Sequence, residues 1–156
     1  MPVAYRISKA KHANTEDGLM SGKGAHLYGG HWNTAGNAVV YMSGTLSLAM
    51  LEIIVHTSDT NLLNSYVVAK VEFGNDLVQT LKIGDLPEEW DDTSLNSAAS
   101  DIGDIWLTQS SSCILCVPSA LVPSELNYLC NRSHPDFSQV IVNEITPLKF
   151  DAKFAH

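Results

Sequence analysis

One carboxylate interrupts an otherwise greasy stretch: Glu52 stands within Leu46-Ser47-Leu48-Ala49-Met50-Leu51-Glu52-Ile53-Ile54-Val55. At helical spacing Thr45, Ala49, Glu52 and His56 share one narrow stripe, and most other positions are apolar. Two readings follow. The stripe faces water, or it lines a cleft where apolar surroundings strengthen the pull of a carboxylate on developing positive charge. Tyr41 ends the strand-like segment before this helix and could reach the same cleft, there to stack on a flat ring or to sit in the core with its hydroxyl paired. Arg6 lies in a short apolar strand, where a permanent cation either pairs with an anion or occupies a sheet edge. Ser119 follows Val117-Pro118, a strand end from which a hydroxyl and neighbouring amides could meet a ligand. It has no G-x-S-x-G elbow around it, and none of the six histidines is marked as a triad partner.

The elements that must hold these groups follow from periodicity and punctuation. Val3 to Ile7 is a β-prone start, and Gly18 to Gly36 carries enough glycine to demand tight turns. Ala38 to Met42 reads as a strand, and Thr45 opens a helix over Leu46 to His56. Ser65 to Phe73 is strand-like, and Leu77 to Ile83 is expected to pair with it across a turn at Gly74-Asn75-Asp76. A second helix is expected from about Ser94 to Gln109, with caps among Asp91-Asp92-Thr93 and a weak middle at Gly103. Cys113 to Val117 is a buried strand, Ser119 to Glu125 a loop, and Val140 to Val142 and Leu148 to Phe150 closing strands. Strands broken by two helices predict a mixed α+β architecture, read as one domain over residues 1–156. Lys153 to His156 is expected to fray. Gly22-Lys23-Gly24 is read as a turn, because the P-loop and dinucleotide-fingerprint contexts are missing.

A net charge of −8 with nine basic residues argues against direct nucleic-acid binding, which needs clustered Lys and Arg. A basic protein partner fits better. No signal-peptide pattern opens the chain and no apolar run approaches a bilayer-spanning length, so a cytoplasmic protein is expected. Cys113-x2-Cys116 with Cys130-x3-His134 has zinc-like spacing. Residues three apart on a strand face opposite ways, however, so the thiols read as small buried side chains and no metal is expected.

Taken in order, Gly29-Gly30-His31-Trp32-Asn33, Val39-Val40-Tyr41, Leu48 to His56 and Val117-Pro118-Ser119-Ala120 resemble the RES domain, a family named for an arginine, a glutamate and a serine. Pro123 to Leu129, with Asn131 and His134-Pro135, is similar to its C-terminal pattern, so the likeness runs over nearly the whole chain. The resemblance implies an ADP-ribosyltransferase-like fold around an NAD cleft. It implies a toxin of a type II toxin–antitoxin pair whose antitoxin carries an Xre-like helix-turn-helix, leaving DNA contact to that partner. It further implies cleavage of the nicotinamide–ribose bond, with water, phosphate or a protein as acceptor.

Carried over by residue, the resemblance makes Glu52 and Ser119 catalytic, with His31 at the third catalytic position. Arg6, Tyr41, Gly30, Trp32 and Asn33 become the NAD contacts. The departure is His31, which stands where the family pattern reads Gly-Gly-Arg-Trp-Asn. Histidine is shorter and mostly neutral at pH 7, and losing one charge-assisted phosphate contact costs roughly 1.5–3 kcal/mol. The expectation is an attenuated enzyme or a natural exception to the pattern. The competing reading is a catalytically inactive module that keeps the fold and captures a protein partner.

Overall fold

The computed structural model describes residues 2–56, 65–93 and 97–150. Along the chain run β1 (Val3–Lys9), α1 (Glu16–Leu19), α2 (Lys23–Tyr28), β2 (Val40–Ser43), α3 (Leu46–His56) and β3 (Tyr66–Glu72). Then come β4 (Val78–Thr80), α4 (Ala98–Gln109), β5 (Ile114–Pro118), β6 (Leu126–Cys130), β7 (Ile141–Val142) and β8 (Thr146–Leu148). The expected mixed α+β class is what forms.

One eight-stranded sheet organises the described residues in the order β4-β5-β6-β2-β1-β3-β7, with β8 also on β3. Every pairing is antiparallel except β4 with β5. That exception corrects the expected hairpin. Val78 pairs with Ile114 rather than folding back on β3, so the chain crosses from one side of the sheet to its far edge after Phe73. The turn residues at Gly74-Asn75-Asp76 are real, forming a single 3-10 turn, but a turn does not choose its partner. β3 is already flanked by β1 on one side and by β7 and β8 on the other, and β4 lies instead on the wholly buried apolar Ile114 to Val117.

Side-chain alternation divides the core between the two faces of the sheet. Ala4, Val71, Ile114 and Cys130 pack on one face with Leu19, Met20 and Phe73. Leu115, Val117 and Leu129 point the other way, into a cluster with Trp32, Trp90 and Trp106. Ile7, Ala49, Tyr66, Leu148 and Phe150 gather beneath α3 as a third group. A cleft opens between these last two clusters.

Helix α4 starts at Ala98 with Ser97 as its N-cap, not at Asp91-Asp92-Thr93, while residues 94–96 lie outside the described residues. Gly103 was expected only to weaken it. A Cβ there would overlap the Trp32 carbonyl oxygen, so the glycine lets the helix lie directly on the backbone of the 29–37 loop. Gly22 does more than turn the chain: at φ +66° it caps α2 in the left-handed region. The closing strand comes as Thr146–Leu148, two residues earlier than expected, and Lys153 to His156 lies outside the described residues.

Candidate functional site

The cleft has a volume of about 480 Å³, within the range of small-molecule sites. Its walls come from β1, the 29–37 loop, β2, α3 and the segment after β5. Ala49, Glu52 and His56 line it, so the polar stripe of α3 faces this cleft, while Thr45 at its start is exposed and bonds Glu125.

Three later parts of the chain fix Glu52. Ser119 Oγ donates to Glu52 Oε1 at 3.0 Å, and Asn127 Nδ2 donates to the same oxygen at 3.2 Å. His56 Nε2 lies 3.7 Å from the other oxygen, Oε2. Burial pushes the carboxyl upward, but the pairing with His56 and the hydrogen bonds from Asn127 and Ser119 outweigh it and hold Glu52 below the ordinary carboxylate range. It is an anion at neutral pH. The same pairing raises His56 above the usual imidazole value against the effect of its own burial.

The sheet register explains why these groups meet. Ser43 of β2 pairs with Asn127 of β6, and Val117 of β5 pairs with Asn127 from the other side. Ser43 Oγ donates to Asn127 Oδ1 at 2.8 Å, which turns the amide NH2 toward Glu52. Ser119, two residues beyond Val117, is fully buried. Its oxygen also accepts from the amides of Leu121 and Val122, each at 3.1 Å. The serine hydroxyl therefore faces Glu52 and its own loop, and the free amides expected to greet a ligand are spent on that oxygen.

Tyr41 lines the cleft and clamps the glycine-rich loop. Its hydroxyl accepts from the Trp32 amide at 3.0 Å and donates to Asn33 Oδ1 at 2.6 Å. Burial raises its pKa, so the phenol stays protonated. Asn33 spends its amide nitrogen on the carbonyls of Ala25, Thr34 and Asn37. With 2% exposure it is a strut inside the loop rather than part of the cleft lining. Asp104 of α4 completes the frame, accepting from the Thr34 amide, the Thr34 hydroxyl and Asn37 Nδ2. Gly30 is required where it stands, because a Cβ would meet the Tyr41 hydroxyl at 2.6 Å. Trp32 lines the cleft with its ring stacked on Trp90 at 6.4 Å.

Arg6 lies where β1 and β2 part, since those strands share only the Tyr5–Ser43 pair. Its guanidinium donates to the carbonyls of Leu19 and Tyr41 at 3.0 and 3.1 Å and lines the cleft. Burial lowers its pKa to about 10, which leaves it charged at pH 7. Among the described residues Arg6 forms no ion pair. It is thus a cation in a cleft with no carboxylate on it, ready for an anion.

His31 is also in the lining, but its chemistry differs from that of an arginine. Nε2–H donates to the Trp90 carbonyl at 2.7 Å, and Nδ1 is buried with no hydrogen-bond partner among the described residues. Burial lowers its pKa, opposed by the Trp90 bond and the charges of Glu52, Asp91 and Asp92. The neutral ring then presents a lone pair at Nδ1 and has no second N–H to give to a phosphate.

The structure gathers Glu52, Arg6, Tyr41, Gly30, His31 and Trp32 around one cleft and sets Ser119 and Asn33 just behind it. Sequence reasoning had not assigned site roles to Asn127 and His56. The signal for His56 was its place on the Glu52 stripe. Asn127 carried little, since the strand that orients it was itself unforeseen. The three cysteines are buried free thiols; Cys113 Sγ faces the Asn131 carbonyl at 3.9 Å, and Cys116 interacts with Tyr128 and Thr80.

The RES domain model matches residues 3–151 of this chain. A protein named Toxin Res from Yersinia enterocolitica serotype O:8 / biotype 1B is 38% identical over 146 residues, covering 94% of this chain and 93% of that one. The Prs ADP-ribosylating toxin of a Sphingobium species is 33% identical over 153 residues, covering 96% and 94%. Among solved structures, the M. tuberculosis MbcT–MbcA toxin–antitoxin complex matches with a TM-score of 0.74 at 16% identity, covering 94% of this chain and 83% of the matched chain. At that identity the likeness speaks for the fold. The family model and the full-length relatives together show that this chain belongs to the RES domain family.

Proposed function

We propose that this chain is the toxin of a toxin–antitoxin pair and that it cleaves the bond between nicotinamide and ribose in NAD. The observation that carries this reading is the presence, in one cleft, of a fixed carboxylate, Glu52, and a cation, Arg6, that has no ion pair among the described residues. Breaking an N-glycosidic bond develops positive charge on the ribose, and an anion already oriented by neighbours stabilises it without reorganising. A pyrophosphate seeks a guanidinium. Glu52 would face the reacting ribose, Arg6 the pyrophosphate, and the Tyr41 ring with Gly30 and Trp32 would form the wall against which the dinucleotide lies. Asn33 would hold that wall in shape, and Ser119 would act through Glu52 as a positioning residue. No metal enters this reaction; NAD is the substrate.

The relatives' names, Toxin Res and Prs ADP-ribosylating toxin, support the same class. The partner would be an antitoxin with an Xre-like helix-turn-helix, and the site of action the cytoplasm, where NAD is abundant. The acidic balance of this chain suits a division in which the antitoxin makes the DNA contacts. Water, phosphate or a protein side chain could each receive the ADP-ribosyl group.

A second reading, a catalytically silent binding module, draws on His31, whose neutral ring has no N–H free for phosphate. One experiment separates the two. Purified protein is incubated with NAD, with and without phosphate, and free nicotinamide and the ribosyl product are measured. Release by the native chain and its loss in Glu52→Ala supports the enzyme. No release by the native chain or by His31→Arg supports the silent module.

A further inference from the structure

Glu52 accounts for stabilising the ribose cation but not for the proton of the incoming acceptor. Its carboxylate is held below the ordinary range, with Ser119 and Asn127 bonded to one oxygen and His56 paired with the other at 3.7 Å. Such a group is a poor base near pH 7. Another side chain must take that proton when water or a hydroxyl adds to the ribose.

We propose that His56 takes this proton through its Nδ1, with Glu52 holding the other ring nitrogen. The inference rests on the NAD-cleaving reading above and assigns the acceptor side of the same cleft. His56 lies one helical turn beyond Glu52, with its Nε2 at 3.7 Å from Glu52 Oε2. A carboxylate on one imidazole nitrogen favours the tautomer protonated there, leaving the opposite nitrogen with a lone pair. Among the described residues no hydrogen bond engages His56 Nδ1. The side chain of His56 is 67% exposed and that of Glu52 25%, so the pair runs from the solvent end of the cleft inward. The acceptor arrives from solvent and meets His56 first.

The step balances as follows. An oxygen lone pair of the acceptor forms a bond to ribose C1′, and the C1′–nitrogen bond breaks. Its electron pair leaves with nicotinamide, converting the cationic pyridinium to the neutral base. The acceptor's O–H proton passes to His56 Nδ1 and is later lost to bulk water. Glu52 remains ionised throughout. The other ionisable side chains lining the cleft are Tyr5 and Arg6 of β1, Tyr41 of β2 and His31 of the 29–37 loop, and among the described residues Glu52 is the one charge acting directly on His56. Because that pairing favours the protonated ring, turnover should rise with pH as His56 loses its proton.

The test compares the native chain with His56→Ala and His56→Gln, following nicotinamide release from pH 5.5 to 9, and exchange of labelled nicotinamide into NAD. The expected result is a loss of turnover of about 10²-fold in both variants, with KM for NAD little changed and the acid limb of the profile gone. Exchange should increase relative to net product, because the ribosyl cation waits longer for its acceptor. Added imidazole should restore turnover to His56→Ala, whose exposed gap admits it. Retention of native turnover and of the acid limb in His56→Ala would overturn the assignment, as would a loss that imidazole leaves unrepaired. The two readings fail differently: if the native chain and His31→Arg release no nicotinamide at any pH, NAD cleavage itself is refuted.

Discussion

Ser119 Oγ donates to Glu52 Oε1 across 3.0 Å while accepting two backbone amides of its own loop. The serine thus joins the loop after β5 to the acid on α3. Ser119→Ala removes the donor and leaves the amides of Leu121 and Val122 without their acceptor. Losing a buried hydrogen-bonding group of this kind costs about 1–3 kcal/mol of stability. Turnover should fall roughly tenfold while KM for NAD changes little, since the loss of one charge-assisted bond is felt at the carboxylate. A variant with native kcat and native melting temperature would show that the bond contributes nothing.

Tyr41 offers a way to separate stacking from clamping. Tyr41→Phe keeps the ring but breaks the bridge between the Trp32 amide and Asn33 Oδ1. If the hydroxyl shapes the loop, this variant should lose about 1–2 kcal/mol of stability and bind NAD several-fold more weakly. Calorimetry with NAD at a pH where turnover is slow measures both. Native affinity in the Phe variant would mean that the ring alone suffices.

His31→Arg tests the departure from the family pattern. The histidine spends its N–H on Trp90, whereas a guanidinium has donors to spare and keeps its charge. We expect KM for NAD to drop by about ten- to a hundredfold, the worth of one charge-assisted phosphate bond. Steady-state kinetics over a range of NAD concentrations reads this directly. No improvement in either KM or turnover would refute the attenuation idea.

The Glu52–His56 pair leaves a signature in stability as a function of pH. Glu52 is depressed when folded, so its contribution is present above its unfolded value near 4.5 and fades as pH falls through the folded value. His56 is raised when folded, so its contribution is complete below 6.5 and fades as pH rises through the folded value. The two overlap between those limits. Stabilities of the native chain and His56→Gln, followed by melting, should differ most between about pH 4.5 and 6.5, by under about 1 kcal/mol because the imidazole is largely exposed, and converge as pH rises through the folded His56 value. A difference that grows toward alkaline pH would reverse the assigned signs.

Helix α3 was legible to the residue because one carboxylate in an apolar run has a sharp helical signature. That the stripe faced the cleft was not legible, since periodicity defines a face and not what lies opposite. β6 escaped because Leu126-Asn127-Tyr128-Leu129-Cys130 alternates poorly; β2 and β5 bury its backbone between them. Missing β6 meant missing Asn127. The β3–β4 hairpin failed for a related reason: partner choice depends on apolar surface 36 residues downstream, at Ile114 and Leu115. The positions carrying the family likeness, from Gly30 to Asn33 and at Tyr41, Glu52 and Ser119, gather at or just behind one cleft.

The order of strands bears on how the protein comes into being. Glu52 is held by Ser119 and Asn127, which a ribosome adds 67 and 75 residues later, and β2 acquires its second neighbour only when β6 appears. A nascent chain halted short of position 119 has the acid but neither of those two donors, and part of the cleft wall is still missing. Synthesis therefore has a built-in delay, because the acid is oriented only once the chain has run past Asn127.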